Sequence, residues 1–377
     1  MKRVLIIENF SADFYKARIP LAKHLMKSGW KVFALVPSGD YVQLIRDEGI
    51  EVLEYDLDRK NKGLKQLLSL IKIYRKIIIN NQIDIVHSFR FQPNLVNSLA
   101  NLFNSKKVIL HITGLGVAFS NNSFPYLLLR LMSQLVFQLK LLRADKVIVQ
   151  NEDDAKDIWF GRSWKNKMNV ILGSGVNTGI FNSDSFNKLE LRQQMGISKT
   201  DVTFICVTRL IWEKGIEELL ESFKLIHSSY RNARLLIVGW SDHDNPRHVP
   251  KSYIDEWNGK HNITFLGRKE NIRELLAASD VFLYPSYYRE GIPRGILEAL
   301  SMGLPVITTD TPGCKLTVVH GDNGYLIKPG SISELTNAMQ KILQSDMKEM
   351  SSKSRILAEE QFSDALIFSQ IEHTYYK

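Results

Sequence analysis

Short, unbroken apolar runs alternate with longer stretches of helical spacing along the first half of the chain. The runs at 3–8 (RVLIIE), 31–37 (KVFALVP), 51–56, 84–89 (DIVHSF), 108–113 (VILHIT), 145–150 (DKVIVQ) and 168–172 predict strands. Their continuous apolar character fits burial on both faces, as in a parallel sheet. Between them the spacing predicts helices near 14–28, ending at Gly29, and near 64–80, 93–103 and 124–142. This β–α alternation predicts a doubly wound α/β sheet of Rossmann type. The grammar restarts after Gly173-Ser174-Gly175-Val176-Asn177, a stretch suited to a hinge because glycine tolerates unusual dihedrals. Strands follow at 202–208, 233–239, 262–267, 280–285, 305–309 and 324–327, helices interleave, and two more close the chain at 346–361 and 364–376. The expectation is two domains, 1–172 and 183–363, facing each other across a cleft and joined by a hinge at 173–182.

In such sheets ligands bind beyond the carboxyl ends of the strands, so the loops there are where chemistry is sought. The first of them, Glu8-Asn9-Phe10-Ser11-Ala12-Asp13-Phe14-Tyr15, lacks the G-x-G-x-x-G that admits a dinucleotide pyrophosphate. No G-x-x-x-x-G-K-[ST] occurs either. NAD, FAD and P-loop ATPase chemistry are thereby set aside.

Composition narrows the class further. Apolar residues make up 44% of the 377 and charged residues 24%, which is globular rather than disordered. Two cysteines, Cys206 and Cys314, build no disulfide framework, and no CxxC pair is present to hold zinc. No apolar run approaches the ~20 residues of a membrane-spanning helix, and the amino terminus is too short in its apolar part for a secretion signal. A soluble, reduced, cytoplasmic protein is expected. The net charge of +9 is unevenly placed: residues 1–182 hold 26 Lys and Arg against 15 Asp and Glu, residues 183–377 hold 23 against 25. A basic half beside a neutral one suggests one polyanion-facing half, against the plainer reading of a surface bias without a partner.

The densest chemical signal is Tyr287-Tyr288-Arg289-Glu290-Gly291-Ile292-Pro293-Arg294-Gly295-Ile296-Leu297-Glu298-Ala299. A strand ends at Pro285 and a helix begins near Pro293, a residue well tolerated in a first helical turn. Amides without helical partners and the positive end of the dipole make that helix start an anion site, with Gly291, Ile292, Pro293 and Arg294 around it. Glu298 is placed to accept from ribose hydroxyls, and Glu290, on the loop, from a second sugar. The bland alternative is a capped helix with two solvated carboxylates. The second signal is Thr208-Arg209-Leu210-Ile211-Trp212-Glu213-Lys214-Gly215, whose two cations can bracket a diphosphate and stabilise its departing charge. Read alone, it is also compatible with a surface ion pair to Glu213.

Glu290 and Glu298 enclose an E-x7-E pattern, with Arg209 and Lys214 upstream. Together they resemble family-4 glycosyltransferases of the GT-B fold, a likeness spanning nearly the whole chain. The segments EGIPRGILEALSMGLPVITTDTPGC, ITGLG at 112–116, VIVQNEDD at 147–154 and GSGVN at 173–177 are similar to a narrower group. Its bacterial members add an N-acetylhexosamine, often N-acetylgalactosamine, to an undecaprenyl-diphosphate-linked sugar for O-antigen, capsule or protein-glycan assembly. The resemblance implies a retaining transferase with a UDP-sugar donor and a polyprenyl-diphosphate-linked acceptor. Arg209 and Lys214 would hold the diphosphate, Glu298 the ribose and Glu290 the transferred sugar. It also implies that helix 364–377 crosses back onto the first domain.

Two departures stand out. Many family members carry a histidine just before the glycine of a strand-end loop in the first domain; here Thr113 precedes Gly114, and His111 lies two residues earlier. A two-residue offset in a strand keeps both side chains on one face, so either can line the cleft, and a lone strand histidine can also be structural. The amino-terminal loop lacks the family's glycine pair, and Arg18 beyond it is the candidate for an acceptor phosphate. Asp242-His243-Asp244 resembles a metal-binding D-x-D, but its place in the second wound sheet argues against that role, and no metal or other cofactor is expected.

Residues 64–79 and 126–143 are basic and apolar, the second with three Arg or Lys and no acid. Each can lie in an anionic headgroup layer or cover its own sheet. With the charge of the first half, they predict peripheral association with the inner face of the cytoplasmic membrane through Lys65, Lys72, Arg75 and Lys76. Rival functions are a UDP-sugar epimerase on the same fold, a non-catalytic sugar-binding protein, and nucleic-acid binding, for which no module is recognisable and none is expected.

Overall fold

The computed structural model describes residues 1–56, 63–120, 123–158, 166–241 and 245–376. Apolar runs buried on both faces become strands of two all-parallel sheets. The first contains β1 (Arg3–Ile7), β2 (Lys31–Pro37), β3 (Glu51–Tyr55), β4 (Ile85–Phe89), β5 (Lys107–Ile112), β6 (Lys146–Val149) and β7 (Met168–Val170), in the order β3-β2-β1-β4-β5-β6-β7. The second contains β8 (Val202–Val207), β9 (Ala233–Val238), β10 (Ile263–Gly267), β11 (Val281–Tyr284), β12 (Val306–Thr309) and β13 (Gly324–Ile327), in the order β10-β9-β8-β11-β12-β13. Strand order reverses between β1 and β4 in one and between β8 and β11 in the other. Those switch points, outside the carboxyl ends, are where a doubly wound sheet opens a crevice for a ligand.

Two compact units result: Met1–Ser174 together with Asp364–Lys377, and Gly175–Ser363. In the first, alternate residues of β1 feed two cores. Leu5 and Ile7 meet Tyr74 and Ile78 of helix Leu64–Asn80, while Val4 and Ile6 share a cluster with Ile367 and Ile371 of helix Asp364–Tyr376. That last helix is tied down by polar contacts as well. The Glu372 carboxylate accepts from the Trp30 indole (2.9 Å) and the Ser28 hydroxyl (2.9 Å), and the Trp30 ring meets Tyr375 edge-on at 5.3 Å.

The first helical segment departs from its sequence expectation. The segment predicted as a single helix over 14–28 is two, Ser11–Ala17 and Ile19–Lys27. Pro20 has no N–H to continue the ladder and its ring opposes a helical preceding turn, so the chain breaks at Arg18. The break turns Arg18 toward the β1 end. Among the described residues, no helix is long and apolar enough to cross a membrane.

Candidate active site

The C-terminal switch point is built from the loops after β8 and β11. Beyond β8 the chain makes a short turn at Trp212–Lys214, and Gly215 (φ +71°) starts the helix Ile216–Ser229. A Cβ on Gly215 would stand 2.3 Å from the Pro285 carbonyl oxygen, so only glycine lets the two loops touch. The Tyr287 and Tyr288 amides then donate to the Glu213 carbonyl at 2.9 and 3.1 Å. On the far side, a Cβ at Gly313 would fall 1.6 Å from the Gly291 carbonyl oxygen, so backbone meets backbone there too.

This scaffold brings Lys214 and Glu290 together. The buried Lys214 ammonium is ion-paired with Glu290 Oε1 and donates to the Tyr284 hydroxyl at 2.7 Å; that hydroxyl in turn donates to Glu290 Oε2 at 3.0 Å. Burial, then the nearby Arg209 guanidinium, lowers the Lys214 pKa to about 7, against smaller opposing pulls that include the Glu213 carboxylate. Burial also raises the Tyr284 phenol far above its usual range, so it stays a neutral donor. Helix Arg294–Ser301 begins after Pro293, which as the cap residue makes no side-chain cap hydrogen bond. Arg294 reaches Glu298 at 3.4 Å, and burial raises the Glu298 carboxyl above the usual range, against Arg294. The structure therefore gathers Lys214, Glu290, the Gly291-Ile292-Pro293 loop, Arg294 and Glu298 around one strand-end crevice, with Arg209 close enough to act on Lys214 by charge. Asp242-His243-Asp244 lie outside the described residues.

At the N-terminal switch point, Glu8 follows β1 and is fully buried. It accepts from Arg18 Nε (3.1 Å) and Nη2 (2.9 Å) and lies 3.3 Å from Arg90 Nε; Arg90 also reaches Asp13 at 2.8 Å. The Arg18 guanidinium sits 3.7 Å over the Phe89 ring. Arg18 is thus committed to a buried pair, and the more exposed cation beside it is Arg90. Arg90 takes φ +72°, a left-handed conformation disfavoured for a side-chain-bearing residue, of the kind that concentrates at functional sites.

His111 is fully buried in β5, its ring stacked on Phe89 at 4.7 Å and near-parallel to His87 at 5.6 Å. His87 Nδ1 lies 2.7 Å from the Tyr375 hydroxyl. Burial and the Arg18 charge lower His87 to about 3; burial, His87 and Arg18 hold His111 well below the usual histidine range. Both rings are neutral near pH 7. Thr113 lies past the end of β5 and is half-buried, and Gly114 takes φ +130°.

Sequence reading passed over Tyr284, Glu8 and Arg90. Tyr284 ends an apolar strand and reads as core; its hydroxyl at a strand's carboxyl end was the available signal. Glu8 offered a similar one, a carboxylate directly after four apolar strand residues.

Two family models divide the chain between them: the description "Glycosyl transferases group 1" matches residues 187–359, and "Glycosyl transferase 4-like" matches residues 3–151. The chain is a glycosyltransferase of this family. The transferase is 25% identical over 98% of its length to 95% of N,N'-diacetylbacillosaminyl-diphospho-undecaprenol alpha-1,3-N-acetylgalactosaminyltransferase of Campylobacter jejuni. It is 26% identical to UDP-Gal:alpha-D-GlcNAc-diphosphoundecaprenol alpha-1,3-galactosyltransferase of Escherichia coli, over 89% of each chain. Its fold is that of the Anabaena protein HepE, solved in complex with UDP, with a TM-score of 0.80 at 19% identity over the whole of both chains. The two doubly wound domains are those of the GT-B class.

Proposed function

We propose that this glycosyltransferase moves a sugar, an N-acetylhexosamine such as N-acetylgalactosamine, from a UDP-sugar to a hydroxyl of a saccharide on a polyprenyl diphosphate, with retention at the anomeric carbon. The observation that carries the reading is the Lys214–Tyr284–Glu290 cluster at the β8/β11 switch point, its lysine and tyrosine buried, beside Arg209 and the start of helix Arg294–Ser301. The names of the two relatives support it, since both specify undecaprenol-linked diphospho-sugars and one specifies a UDP-sugar.

In this reading Lys214 and Arg209 meet the diphosphate, the first amides of helix Arg294–Ser301 add their dipole, and Glu298 accepts from the ribose. Glu290 accepts from a hydroxyl of the transferred sugar. The bond from the anomeric carbon to the β-phosphate oxygen breaks as the acceptor oxygen approaches the same face, and the departing phosphate takes the acceptor proton. Cations already fixed in a dry site stabilise that developing charge without reorganising, and such preorganisation commonly supplies most of the rate enhancement when charge separates. A metal ion has no assigned part in this scheme, so turnover is expected to survive a chelator. The enzyme would work at the cytoplasmic face of the bilayer holding its acceptor.

A UDP-release screen across UDP-sugars with synthetic polyprenyl-diphosphate saccharides, followed by product mass, tests the reading. One added sugar residue per UDP released supports it. An isomerised donor with no acceptor consumed indicates an epimerase, and sugar binding without UDP release indicates a binding protein; either overturns it.

A further inference from the structure

Helix Phe124–Leu141 presents an apolar ridge on its outer side. Phe124, Leu128, Leu131, Met132, Leu135 and Leu139, three or four residues apart along one side, are exposed, and Phe124 is 79% so. Its inward side buries Phe137 and Leu141 and carries polar groups beside them: Gln134 donates to the Asp157 carbonyl at 2.5 Å, and Arg130 to that of Ala118 at 3.4 Å. The Lys140 amine is buried between the Phe91 and Phe137 rings, 3.0 and 4.4 Å from their centroids, with no hydrogen-bond partner among the described residues. Helix Leu64–Asn80 behaves in the ordinary way, spending Leu70, Tyr74 and Ile78 on its own sheet. A helix that buries a lysine and exposes a ridge of leucine and methionine has its apolar partner outside the protein.

The charge around the ridge says which partner. From Leu64 to Ala144 the chain carries ten Lys and Arg and a single carboxylate, Asp84. That excess of cations along the surrounding chain favours an anionic partner over a second copy of the same chain. At its C-terminal end the helix runs into a pocket of about 370 Å³ lined by Lys106, Lys107, Arg143, Lys146 and Lys167. The carboxylate there, Asp145, is already held by Arg143 (2.7 Å) and the Val108 amide (2.8 Å). Lys107 and Lys167 steady backbone carbonyls of Tyr375 and Ala144, leaving Lys106 and Lys146 for a ligand anion. An apolar ridge leading into a lysine pocket matches acyl chains beside phosphate headgroups.

We propose that helix Phe124–Leu141 is an interfacial anchor, lying in the headgroup layer of an anionic bilayer with lipid phosphates held in the pocket at its end. The inference rests on the reading that the acceptor is bilayer-borne, and it moves the dock from Lys65, Lys72, Arg75 and Lys76 to this helix. The test is flotation of the full chain with vesicles of phosphatidylcholine alone or of equimolar phosphatidylcholine and phosphatidylglycerol. Turnover on a water-soluble, short-chain diphosphate acceptor is measured alongside. Wild type is expected to float with the anionic vesicles. Leu128→Ser with Leu135→Ser is expected to abolish flotation on both compositions. Lys106→Ser with Lys146→Ser is expected to lower binding to anionic vesicles about tenfold or more, leaving the neutral ones unchanged. Both variants keep turnover on the soluble acceptor and the wild-type melting temperature, since Leu128 and Leu135 are exposed and Lys106 and Lys146 only half-buried at a rim. Undiminished flotation of the leucine variant overturns the anchor, as does a wild-type dimer that only this variant dissolves. Undiminished anionic preference in the lysine variant overturns the pocket. A wild type that floats but transfers no sugar refutes the proposed function and leaves the anchor standing.

Discussion

Lys214 and Glu290 sit 76 residues apart in sequence, on the loops after β8 and β11, and form an ion pair that the Tyr284 hydroxyl bridges. With Lys214 buried and Glu290 half-buried, the pair contributes little net stability, because desolvation, chiefly of the lysine, offsets the attraction. Its value is positional. The cation is held where a diphosphate would arrive, and the carboxylate where a sugar hydroxyl would lie.

Because burial and Arg209 lower Lys214 to about 7, its charge titrates near neutrality in the empty enzyme. A bound diphosphate favours the ammonium, so binding a nucleotide-sugar takes up a proton wherever the free lysine is deprotonated. Affinity is expected to fall as pH rises above 7. Lys214→Arg, always cationic, removes that fall. Calorimetry in buffers of different ionisation enthalpy reads the proton uptake directly.

Tyr284 separates positioning from charge. Tyr284→Phe keeps the ring and deletes the bridge between Lys214 and Glu290, and is expected to lower turnover about tenfold, the worth of one hydrogen bond to charged groups. Glu290→Ala removes the contact to the sugar itself and is expected to cost about 100-fold or more. Steady-state UDP release measures both. Equal losses would place Tyr284 in contact with substrate rather than behind it.

Glu8 neutralises Arg18 in a buried pair, with side chains 0% and 7% exposed. Glu8→Ala strands the guanidinium and is expected to destabilise the first unit by about 3–5 kcal/mol. The added contact to Arg90 puts the loss toward the upper end. Urea denaturation followed by circular dichroism gives the value, and a cost under about 1 kcal/mol would contradict the burial-based account.

His87 is held at about 3 in the folded chain, below its ordinary value of 6.5. The unfolded chain therefore binds the proton first, and stability is lost as pH falls from about 6.5 toward 3, by about 1.4 kcal/mol per unit for this one residue. His111 adds to the loss in the same direction. Because His87 meets Tyr375, acid is expected to loosen helix Asp364–Tyr376. His87→Gln flattens the slope between pH 6.5 and 5 in a denaturation series.

The sheets were legible because strands such as 31–37 and 233–239 are buried on both faces and leave unbroken apolar runs. Arg209 and Lys214 stood out as charged residues just past such a run, Glu290 and Glu298 by their E-x7-E spacing, and the structure brings Lys214, Glu290 and Glu298 to one strand-end crevice. Tyr284 was not legible, because one amphipathic residue ending an apolar strand satisfies core and site at once. The break at Arg18 followed from Pro20, whose missing N–H outweighs the apolar spacing on either side. Helix Phe124–Leu141 reads in sequence as apolar and basic, and only the fold shows which of its apolar residues face out. His111 likewise depends on burial that no spacing encodes.

The most direct test of the central claim is calorimetric titration of UDP into the full chain and into Lys214→Ala. The account predicts one site per chain, with affinity at least about tenfold weaker in the variant at pH 6.5 and unchanged melting behaviour. UDP binding of equal strength in both proteins would contradict it.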